Sequence, residues 1–539
     1  MNRERLYLYD TTLRDGQQTQ GVQFSTEEKQ RVSALLDELG VDYIEGGWPG
    51  ANPTDNEFFE QAPKTNAIMT AFGMTKRAGR SVDNDDVLAA VINAGTSSVC
   101  IVGKTHDFHV TTALGITLDE NIENIDASIA HIVAQGREAL FDAEHYFDGL
   151  KSNRDYTLRA AKAAYDAGAR WVVLCDTNGG ALPHDVRAGV KALIDVGVPG
   201  DHIGIHTHND TENAVANSLV AVAAGARQIQ GTLNGLGERC GNANLTTLIP
   251  TLALKEPFAS QFETGVTPDA LKGLKKASRT LDEILNRVPH KQAAFVGPSA
   301  FAHKAGLHAS AIAKNPTTYE HIDPNLVGNT RIIPMSNQAG QSNLRERLSG
   351  MGLEVAKGDP ALQRILDRVK EREAAGYTYD TAQASFEVLA RQELDLMPQF
   401  FEVKRYRVSI ERRRNKHNET VSLSEAVVVV KIDGEKILNV SESMGPEGSD
   451  QGPINALSRA LLKDLGRYAE HVNDIRLTDF KVRITNGGTE AVTRVIIDSE
   501  DAQGTAWSTV GVSANIVDAS FDALIDAIRW KLVHVGARE

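Results

Sequence analysis

Residues 6–21 read LYLYDTTLRDGQQTQG and set the pattern from which the fold of this chain is predicted. The stretch begins with an apolar alternation over residues 6–9, which is typical of a β-strand. A polar run closed by Gly21 follows at once. It brings carboxylate, guanidinium and amide groups into one turn, at Asp10, Arg14, Asp15 and Gln18. On its own, such a run is typical of a capped strand-to-helix turn with a surface ion pair.

The same alternation of strand and helix recurs along the first 255 residues. Short apolar runs predict eight strands, and stretches with helical spacing lie between them. The predicted strands are Leu6–Tyr9, Tyr43–Ile44, Ala67–Phe72, Ser98–Val102, Glu138–Phe141, Trp171–Cys175, Ile203–His206 and Arg227–Thr232. Eight such units in about 250 residues predict an α/β fold, the (β/α)8 TIM barrel. A doubly wound open sheet is the alternative, but no GxGxxG follows a strand, so its dinucleotide-binding form has no support.

The pattern changes twice beyond the predicted barrel. Helical spacing without strands follows, at Asp269–Asn286 and Pro360–Ala374. From Glu402 onward, three alternating strands, the first at Tyr406–Glu411, precede a helix at Pro453–Glu470, and this order occurs twice, which predicts a duplicated βββα α+β domain. We therefore expect a barrel at 1–264, a helical linker or lid subdomain at 265–400 and a C-terminal α+β domain at 401–539.

Two glycine-rich joins interrupt the C-terminal pattern. They read MGPEGSDQGP at residues 444–453 and ITNGGTE at residues 484–490. Both resemble loops that bind a ligand or a partner, although plain turns would use the same residues.

Composition excludes several classes of protein. The net charge of −14 comes from acidic residues spread along the chain, which argues against a nucleic-acid partner. No apolar run approaches the roughly 18–20 residues of a membrane span, and MNRERLYLYD lacks the apolar core of a signal peptide. Three widely spaced cysteines, Cys100, Cys175 and Cys240, fit a reducing compartment. We expect a cytoplasmic enzyme without nucleic-acid or membrane partners.

A candidate metal site follows from the barrel, whose functional residues lie at the carboxyl ends of the strands. His206 and His208 are two residues apart at a strand end, so both rings point the same way. With the carboxylate of Asp15 and the amide of Asn242 they make four ligands that suit Mg²⁺, Mn²⁺ or Zn²⁺ and leave positions open for substrate. Support from a second layer is expected at Asp210, Glu238 and Arg239.

Three motifs together carry a family resemblance. DTTLRDGQQ, the HTH after strand seven and GLGERCGN after strand eight resemble the α-isopropylmalate synthase, homocitrate synthase and citramalate synthase family of metal-dependent barrel enzymes. The resemblance extends over AFAHKAGLHASA and the two-unit C-terminal domain, hence over nearly the whole chain. GGWPGANPTDNEFF, KTHDFHV and YEHIDPNLVGN are most similar to the longer type of citramalate synthase within that family.

The resemblance implies an acyltransferase that performs a Claisen-type condensation. Acetyl-CoA loses a methyl proton, the enolate attacks the carbonyl of a 2-oxo acid, and water then cleaves the thioester. The overall resemblance favours pyruvate, which would give citramalate on the route to isoleucine; the alternative acceptor is 2-oxoisovalerate, which would give isopropylmalate. Two other classes remain as alternatives: a carbon–carbon lyase of the hydroxymethylglutaryl-CoA lyase type, which usually lacks the added C-terminal domain, and an iron oxygenase with two histidines and one carboxylate.

The resemblance also implies roles for individual residues. The metal would hold the 2-oxo acid and act as Lewis acid, and Arg14 would stabilise the developing alkoxide. Thr177 matches the contact to the substrate carboxylate, and Gln18 matches an amide on the substrate side. Glu144 and His308 are the candidates for base and proton relay. The side chains expected to shape the pocket for the 2-oxo acid are Phe72, Val102 and Lys104.

Structural roles remain open for several of these residues. Glu144 could form a salt bridge at the barrel rim, and His308, like His303, could be an ordinary histidine on a helix surface. We interpret Cys240 as a packing residue because no base accompanies it in the sequence. The C-terminal domain is expected to form a homodimer and to bind isoleucine as a feedback effector, with a purely dimerising domain as the alternative.

Overall fold

The computed structural model describes residues 3–333, 341–414, 420–446, 452–484 and 491–538. The chain forms two compact units, one of Met1–Phe301 with Ile322–Thr330 and the other of Ala302–His321 with Arg331–Glu539. Residues 447–451 and 485–490, which belong to the glycine-rich joins predicted as binding loops, lie outside the described residues. The three-domain division with boundaries at 264 and 400 stays a prediction.

The first unit is a closed barrel of eight parallel strands, which confirms the TIM barrel and excludes the open sheet. In chain order, and in the order of pairing around the barrel, the strands are β1 (Tyr7–Asp10), β2 (Tyr43–Gly47), β3 (Ile68–Met74), β4 (Ser98–Lys104), β5 (Glu138–Glu144), β6 (Trp171–Asp176), β7 (Ile203–Thr207) and β8 (Gln228–Gly231). The pairing closes between β8 and β1, where Tyr7 lies opposite Gln228.

One principal helix follows each strand. These helices are Thr26–Leu39, Pro53–Glu60, Asp86–Asn93, Leu118–Ala134, Arg154–Asp166, Pro183–Asp195, Ala214–Ala224 and Leu245–Leu254. The first shows how the sequence fixes their ends. Ser25 and Glu28 cap its start reciprocally through side chain and backbone, and Gly40 ends it with φ +83°. A Cβ at Gly40 would lie 2.6 Å from the carbonyl oxygen of Gly265, so only glycine fits there.

The barrel interior is layered. Large apolar side chains cluster inside the barrel, among them Tyr9, Tyr43, Leu140 and Trp171, and this cluster is separate from the core between strands and helices. Because side chains alternate along a strand, Glu45 and Asp142 occupy the next inward positions after Tyr43 and Leu140 on the same two strands. His206 on β7 and Gln230 on β8 are polar as well, and all four side chains are buried. The mouth of the barrel is therefore lined with polar groups.

The second unit contains the duplicated βββα pattern, as predicted. Two three-stranded antiparallel sheets are described, and each precedes a helix. The first sheet has β9 (Glu402–Arg414), β10 (Thr420–Ile432) and β11 (Glu435–Pro446), followed by the helix Pro453–Lys463; the second has β12 (Arg476–Ile484), β13 (Thr493–Glu500) and β14 (Ala506–Ser513), followed by the helix Ile516–His534. Apolar side chains of both sheets and both helices share one core, including Val428, Leu457, Ile497 and Leu524.

Shorter elements complete both units. Glu4–Arg5 pairs in parallel with Phe262–Glu263, outside the barrel. The remaining α-helices of the described residues are Asp107–His109, Tyr146–Ser152, Phe258–Gln261, Pro268–Leu271, Leu274–Ile284, Gly306–Lys314, Gln341–Ser349, Pro360–Ala374, Gln383–Glu393 and Ala469–Val472.

Within the part of the chain that the structure describes, none of the helices combines the length and the apolar character that crossing a membrane requires.

Candidate active site

The carboxylate of Asp15 and two imidazoles meet at the mouth of the barrel. Asp15 lies in the turn after β1, His206 lies near the end of β7 and His208 lies just beyond it. Asp15 Oδ2 is 3.2 Å from His206 Nε2 and 3.9 Å from His208 Nε2, and the two Nε2 atoms are 3.4 Å apart. All three side chains are buried, and one ligand atom of each lies within 4.8 Å of the others. The geometry is that of three ligands facing one point.

Unpaired atoms around this point fit a divalent metal. Asp15 Oδ1 and Asn242 Oδ1 are buried and accept no hydrogen bond from the described residues. Asn242 reaches the site because it pairs through its backbone with His208, and its Nδ2 donates to the carbonyl of Leu236 at 3.2 Å. Two imidazoles, a carboxylate and an amide oxygen are ligands for Mg²⁺, Mn²⁺ or Zn²⁺. The residues present therefore fit the metal expected from the sequence.

Protonation states of the three residues suit such an ion. Burial opposes ionisation of Asp15, but Arg14 and His206 hold the pKa of its carboxyl well below its usual range. Burial and the charge of the neighbouring His206 lower the pKa of His208 to about 4, so this ring is neutral at pH 7. Burial also disfavours the charged form of His206, but the hydrogen bond and charge of Asp15 outweigh it and raise the pKa of His206. A cation at this point would replace the proton that Asp15 attracts to His206.

Arg14 is held rigidly beside the metal ligands. Its Nε donates to Glu45 Oε2 at 2.6 Å, one terminal nitrogen is 3.5 Å from Asp15 Oδ2, and the guanidinium carbon lies 3.9 Å from the centre of the Phe72 ring. The Tyr9 hydroxyl also donates to Glu45, at 2.6 Å. These contacts fix the orientation of the guanidinium plane, and Arg14 also lines the cavity at the mouth of the barrel. Sequence reasoning missed Glu45, although an acidic residue inside the apolar run YIEGG was a signal.

Glu144 ends β5 at the same mouth. Its Oε2 forms an ion pair with Lys104 Nζ from the end of β4, and its Oε1 is 4.0 Å from His145 Nε2. Both members of the pair are about a quarter exposed, so the carboxylate remains accessible from the cavity. The structure therefore combines both interpretations of Glu144: it forms a salt bridge at the rim and it faces the site.

Substrate-side residues surround one cavity of about 360 Å³. The predicted site residues that line it are Arg14, Asp15, Gln18, Phe72, Val102, Lys104, Glu144, Thr177, His206 and His208. Thr177 Oγ1 accepts the backbone N–H of His145 at 2.8 Å. Trp48 and Leu114 also line the cavity and were not predicted. Leu114 ends a turn after β4, within the stretch HDFHVTTAL, whose helical character the sequence did not show.

His308 is not among the residues that line this cavity. It lies in the second unit, on the helix Gly306–Lys314, where it is exposed and its ring stacks on Tyr319 at 4.0 Å. His303 is half-buried and 3.2 Å from Glu320. The role of His308 as proton relay stays a prediction.

Two further residues of the loop after β8 can now be assigned. Arg239 donates to both carboxylate oxygens of Asp210, at 2.7 and 2.9 Å, and to the carbonyl of Thr177 at 2.8 Å, so it ties three strand ends together. Cys240 is exposed, so its interpretation as a packing residue was wrong. Its neighbours Arg239 and Gly241 have positive φ, and this backbone turns the thiol outward.

Comparisons with known proteins agree with these observations. Three family models match consecutive parts of the chain: HMGL-like at residues 5–273, homocitrate synthase post-HMGL domain-like at 295–376 and the LeuA allosteric (dimerisation) domain at 380–532. A protein of Aquifex aeolicus named (R)-citramalate synthase is 46% identical over 98% of both chains. The chain belongs to the HMGL-like family. Within this family it also belongs with the (R)-citramalate synthases.

Other relatives differ in their sequence identity to this chain. An (R)-citramalate synthase of Synechocystis is 44% identical over 98% of this chain and 96% of its own. A probable 2-isopropylmalate synthase of Methanopyrus kandleri is 32% identical over 97% of this chain and 98% of its own. The solved hydroxymethylglutaryl-CoA lyase of Pseudomonas aeruginosa is 18% identical, with a TM-score of 0.45 over 54% of this chain and 96% of its own, and we infer nothing from it.

Proposed function

We propose that this chain is a citramalate synthase, which condenses acetyl-CoA with pyruvate and hydrolyses the thioester to citramalate and CoA. The observation that carries the proposal is the convergence of Asp15, His206 and His208 with Arg14 and Glu144 in one cavity, on a chain 46% identical to an (R)-citramalate synthase. The names of the relatives further suggest the (R) product.

The metal site would receive the 2-oxo acid. Asp15, His206, His208 and Asn242 would hold the divalent ion, which when bound supplies a Lewis acid for the keto carbonyl and a template for the acid. Thr177 lies on the cavity wall at the end of β6 and offers its hydroxyl to the substrate carboxylate. Gln18 is exposed at the rim of the same cavity and offers an amide to the substrate.

Glu144 is the group best placed to remove the methyl proton of acetyl-CoA. Thioester α-protons are weakly acidic, so a carboxylate must be held beside the methyl group. The ion pair with Lys104 restrains Glu144 while leaving its other oxygen free toward the cavity and His145. The enolate formed in this way would attack the keto carbon of pyruvate.

Arg14 would stabilise the charge that develops during the attack. Negative charge moves onto the former keto oxygen as the carbon–carbon bond forms, and a fixed donor is worth most in such a buried site. Glu45 holds the guanidinium before substrate arrives, so little reorganisation is needed. Water then cleaves the thioester, which releases CoA and completes the second carboxylate of citramalate.

The metal requirement can be tested on the purified chain. After removal of metal with a chelator, release of CoA from acetyl-CoA and pyruvate should fall to background and return with Mn²⁺ or Mg²⁺. His206→Asn should lose the metal-dependent rate, whereas His184→Asn, at an exposed position on a barrel helix, should keep it. Full activity in the chelated enzyme would contradict the proposal. Return of activity with Fe²⁺ alone, together with oxygen consumption, would favour the oxygenase alternative.

We further propose that the chain is a homodimer that binds isoleucine through its C-terminal part. The match to the LeuA allosteric (dimerisation) domain supports a dimer and an effector site, and isoleucine is the expected effector because citramalate lies on the route to it. In the full chain, isoleucine should inhibit CoA release at concentrations at which leucine does not, and light scattering should give twice the 58.4 kDa of one chain. Equal inhibition by both amino acids would contradict the choice of isoleucine, and no inhibition by either would leave a dimerisation role only. The cytoplasmic location stays a prediction.

A further inference from the structure

Gln230 connects a metal-ligand candidate to a buried carboxylate. It lies on β8, next to His206 on β7 in the register of the barrel. Its Oε1 is 2.8 Å from His206 Nδ1, and its Nε2 donates to Asp142 Oδ1 at 3.1 Å across the barrel interior. All three side chains are buried. One amide therefore contacts both groups, and each contact uses a different end.

The chemistry of these contacts fixes the orientation of the amide. A carboxylate accepts hydrogen bonds, so Asp142 requires the NH₂ end of Gln230 to face it. The oxygen end must then face His206, and an oxygen can only accept. His206 Nδ1 therefore carries a hydrogen, and in the neutral ring the lone pair is on Nε2, the atom that faces Asp15 and His208. Asp142 thus acts on His206 through Gln230.

An amide suits this position because the interior already holds several acids. Asp142 lies close to Glu45, with one oxygen of each within 4.8 Å, and Asp15 is nearby at the mouth. A further carboxylate beside His206 would add negative charge to this buried group. Gln230 supplies the acceptor that the imidazole needs without adding charge.

We propose that Gln230 is a positioning residue that holds His206 in the ring orientation and tautomer required for metal binding, and so sets the metal affinity of the site. The inference rests on the proposed metal site. Gln230 belongs to none of the motifs recognised in the sequence, and it does not line the cavity. It contacts His206 through Nδ1, not through the Nε2 atom that faces Asp15 and His208.

A matched control lies two residues away on the same strand. Gln228 is also a buried glutamine that faces the barrel interior, but neither end of its amide has a hydrogen-bond partner among the residues that the structure describes. Methionine has nearly the same length and volume as glutamine. Gln230→Met and Gln228→Met therefore remove the same groups from the same strand, and only the first removes a contact to His206.

The test is a calorimetric titration in which Mn²⁺ is added to the full chain after its metal has been removed. Removal of a hydrogen-bond partner behind a metal-binding histidine typically costs about 10–100-fold in affinity. We expect that weakening for Gln230→Met and a change below about threefold for Gln228→Met. We also expect saturating Mn²⁺ to return kcat of Gln230→Met to within about threefold of wild type, because the defect is in occupancy.

Each other outcome decides against the inference. Unchanged affinity in Gln230→Met, equal weakening in both variants, or a kcat that excess Mn²⁺ does not restore would give Gln230 a packing role only. If Gln230→Met does not fold by circular dichroism, Gln230→Asn, which keeps the polarity but is too short to reach His206, must show the same loss. A wild-type chain that does not bind Mn²⁺ would overturn both the proposed function and this inference. If the wild-type chain binds Mn²⁺ tightly and Gln230→Met binds it equally well, only this inference fails.

Discussion

Charged side chains at the mouth of the barrel are held by ion pairs with one another. Arg14 is the clearest example, because Glu45 binds its Nε while Phe72 covers its face. The charges of Glu45 and Asp15 also outweigh the effect of burial and raise the pKa of Arg14, so it stays charged at any working pH. A cation held this way is a donor prepared for an oxyanion rather than a mobile surface group.

Arg14→Lys should therefore lower kcat for CoA release by about 100-fold or more, because the single ammonium of lysine cannot stand both beside Glu45 and at the edge of the cavity, as the separate nitrogens of a guanidinium can. The matched control is Arg170→Lys. Arg170 also stacks on an aromatic ring, Trp171 at 3.8 Å, but at the amino end of β6. Steady-state kinetics should show less than a twofold change in this control. Similar losses in both variants would indicate a general effect on stability.

A second residue predicts how stability depends on pH. Asp10 is fully buried, and burial raises its pKa to about 7 despite hydrogen bonds from Thr12. The ordinary pKa of an unfolded aspartate is about 3.9, so between these values the folded state binds the extra proton. Stability from this group is thus present at low pH and is lost as pH rises through about 7.

Asp10→Asn should remove this dependence. Each pKa unit corresponds to about 1.4 kcal/mol, so the wild-type melting temperature should fall more than that of Asp10→Asn between pH 5 and pH 8. Thermal melts followed by tryptophan fluorescence can measure the difference. Parallel curves for the two proteins would show that Asp10 does not titrate in this range.

Some site residues could be predicted from the sequence and others could not, for a geometric reason. Asp15, His206 and His208 follow strands within recognisable motifs, so the barrel rule alone places them at one mouth. Glu45 and Gln230 lie inside strands. Their roles depend on which positions face inward and which strands become neighbours when the barrel closes, and local patterns do not contain that register.

At the scale of elements, the loop after β8 is shaped by its glycines. Gly241 has φ +90°, and a Cβ there would lie 1.9 Å from the carbonyl oxygen of Gly235. Its own carbonyl accepts the N–H of Asn209 at 2.8 Å, next to His208. The glycine therefore lets the backbone bring Asn242 beside the two histidines.

Gly241→Ala should move Asn242 and weaken Mn²⁺ binding by at least about tenfold, the range expected for a disturbed metal ligand. Gly136→Ala is the control, because Gly136 also has positive φ, +73°, but a Cβ there meets no other atom within 4 Å. It should cost about 1–2 kcal/mol of local strain and leave Mn²⁺ affinity unchanged. Equal Mn²⁺ affinities in the two variants would mean that the loop does not position Asn242.

Element boundaries show the limits of local patterns. The predicted strand Tyr406–Glu411 is longer in the structure, at Glu402–Arg414. Its ends carry charged residues that break the apolar alternation, and they are held in the strand by backbone pairing with β10. The predicted helix Pro453–Glu470 ends at Lys463, before Gly466 with φ +55°. Several helices were not predicted, among them Gly306–Lys314, Gln341–Ser349 and Gln383–Glu393. The first begins at a glycine and the second has only two apolar residues, so neither shows a clear apolar period in the sequence.

At the scale of the whole molecule, a catalytic barrel and a duplicated α+β part occur in one chain. Both architectures were predicted, since eight strand–helix repeats and two βββα repeats are long-range regularities that survive errors at single boundaries. The relation of His308 to the barrel site was not predictable, because it depends on how separate units assemble. The effector site stays a prediction too, because the glycine-rich loops expected to bind the effector include residues outside the described ranges.

The most direct test is the substrate preference of the Mn²⁺-loaded chain. Release of CoA from acetyl-CoA should be measured with pyruvate and with 2-oxoisovalerate, and the product identified by mass spectrometry. We expect kcat/KM for pyruvate to exceed that for 2-oxoisovalerate by at least about tenfold, the discrimination an apolar pocket gives for small differences in side-chain size, with citramalate as the product. Preference for 2-oxoisovalerate, or no CoA release with either acid, would contradict the proposed function.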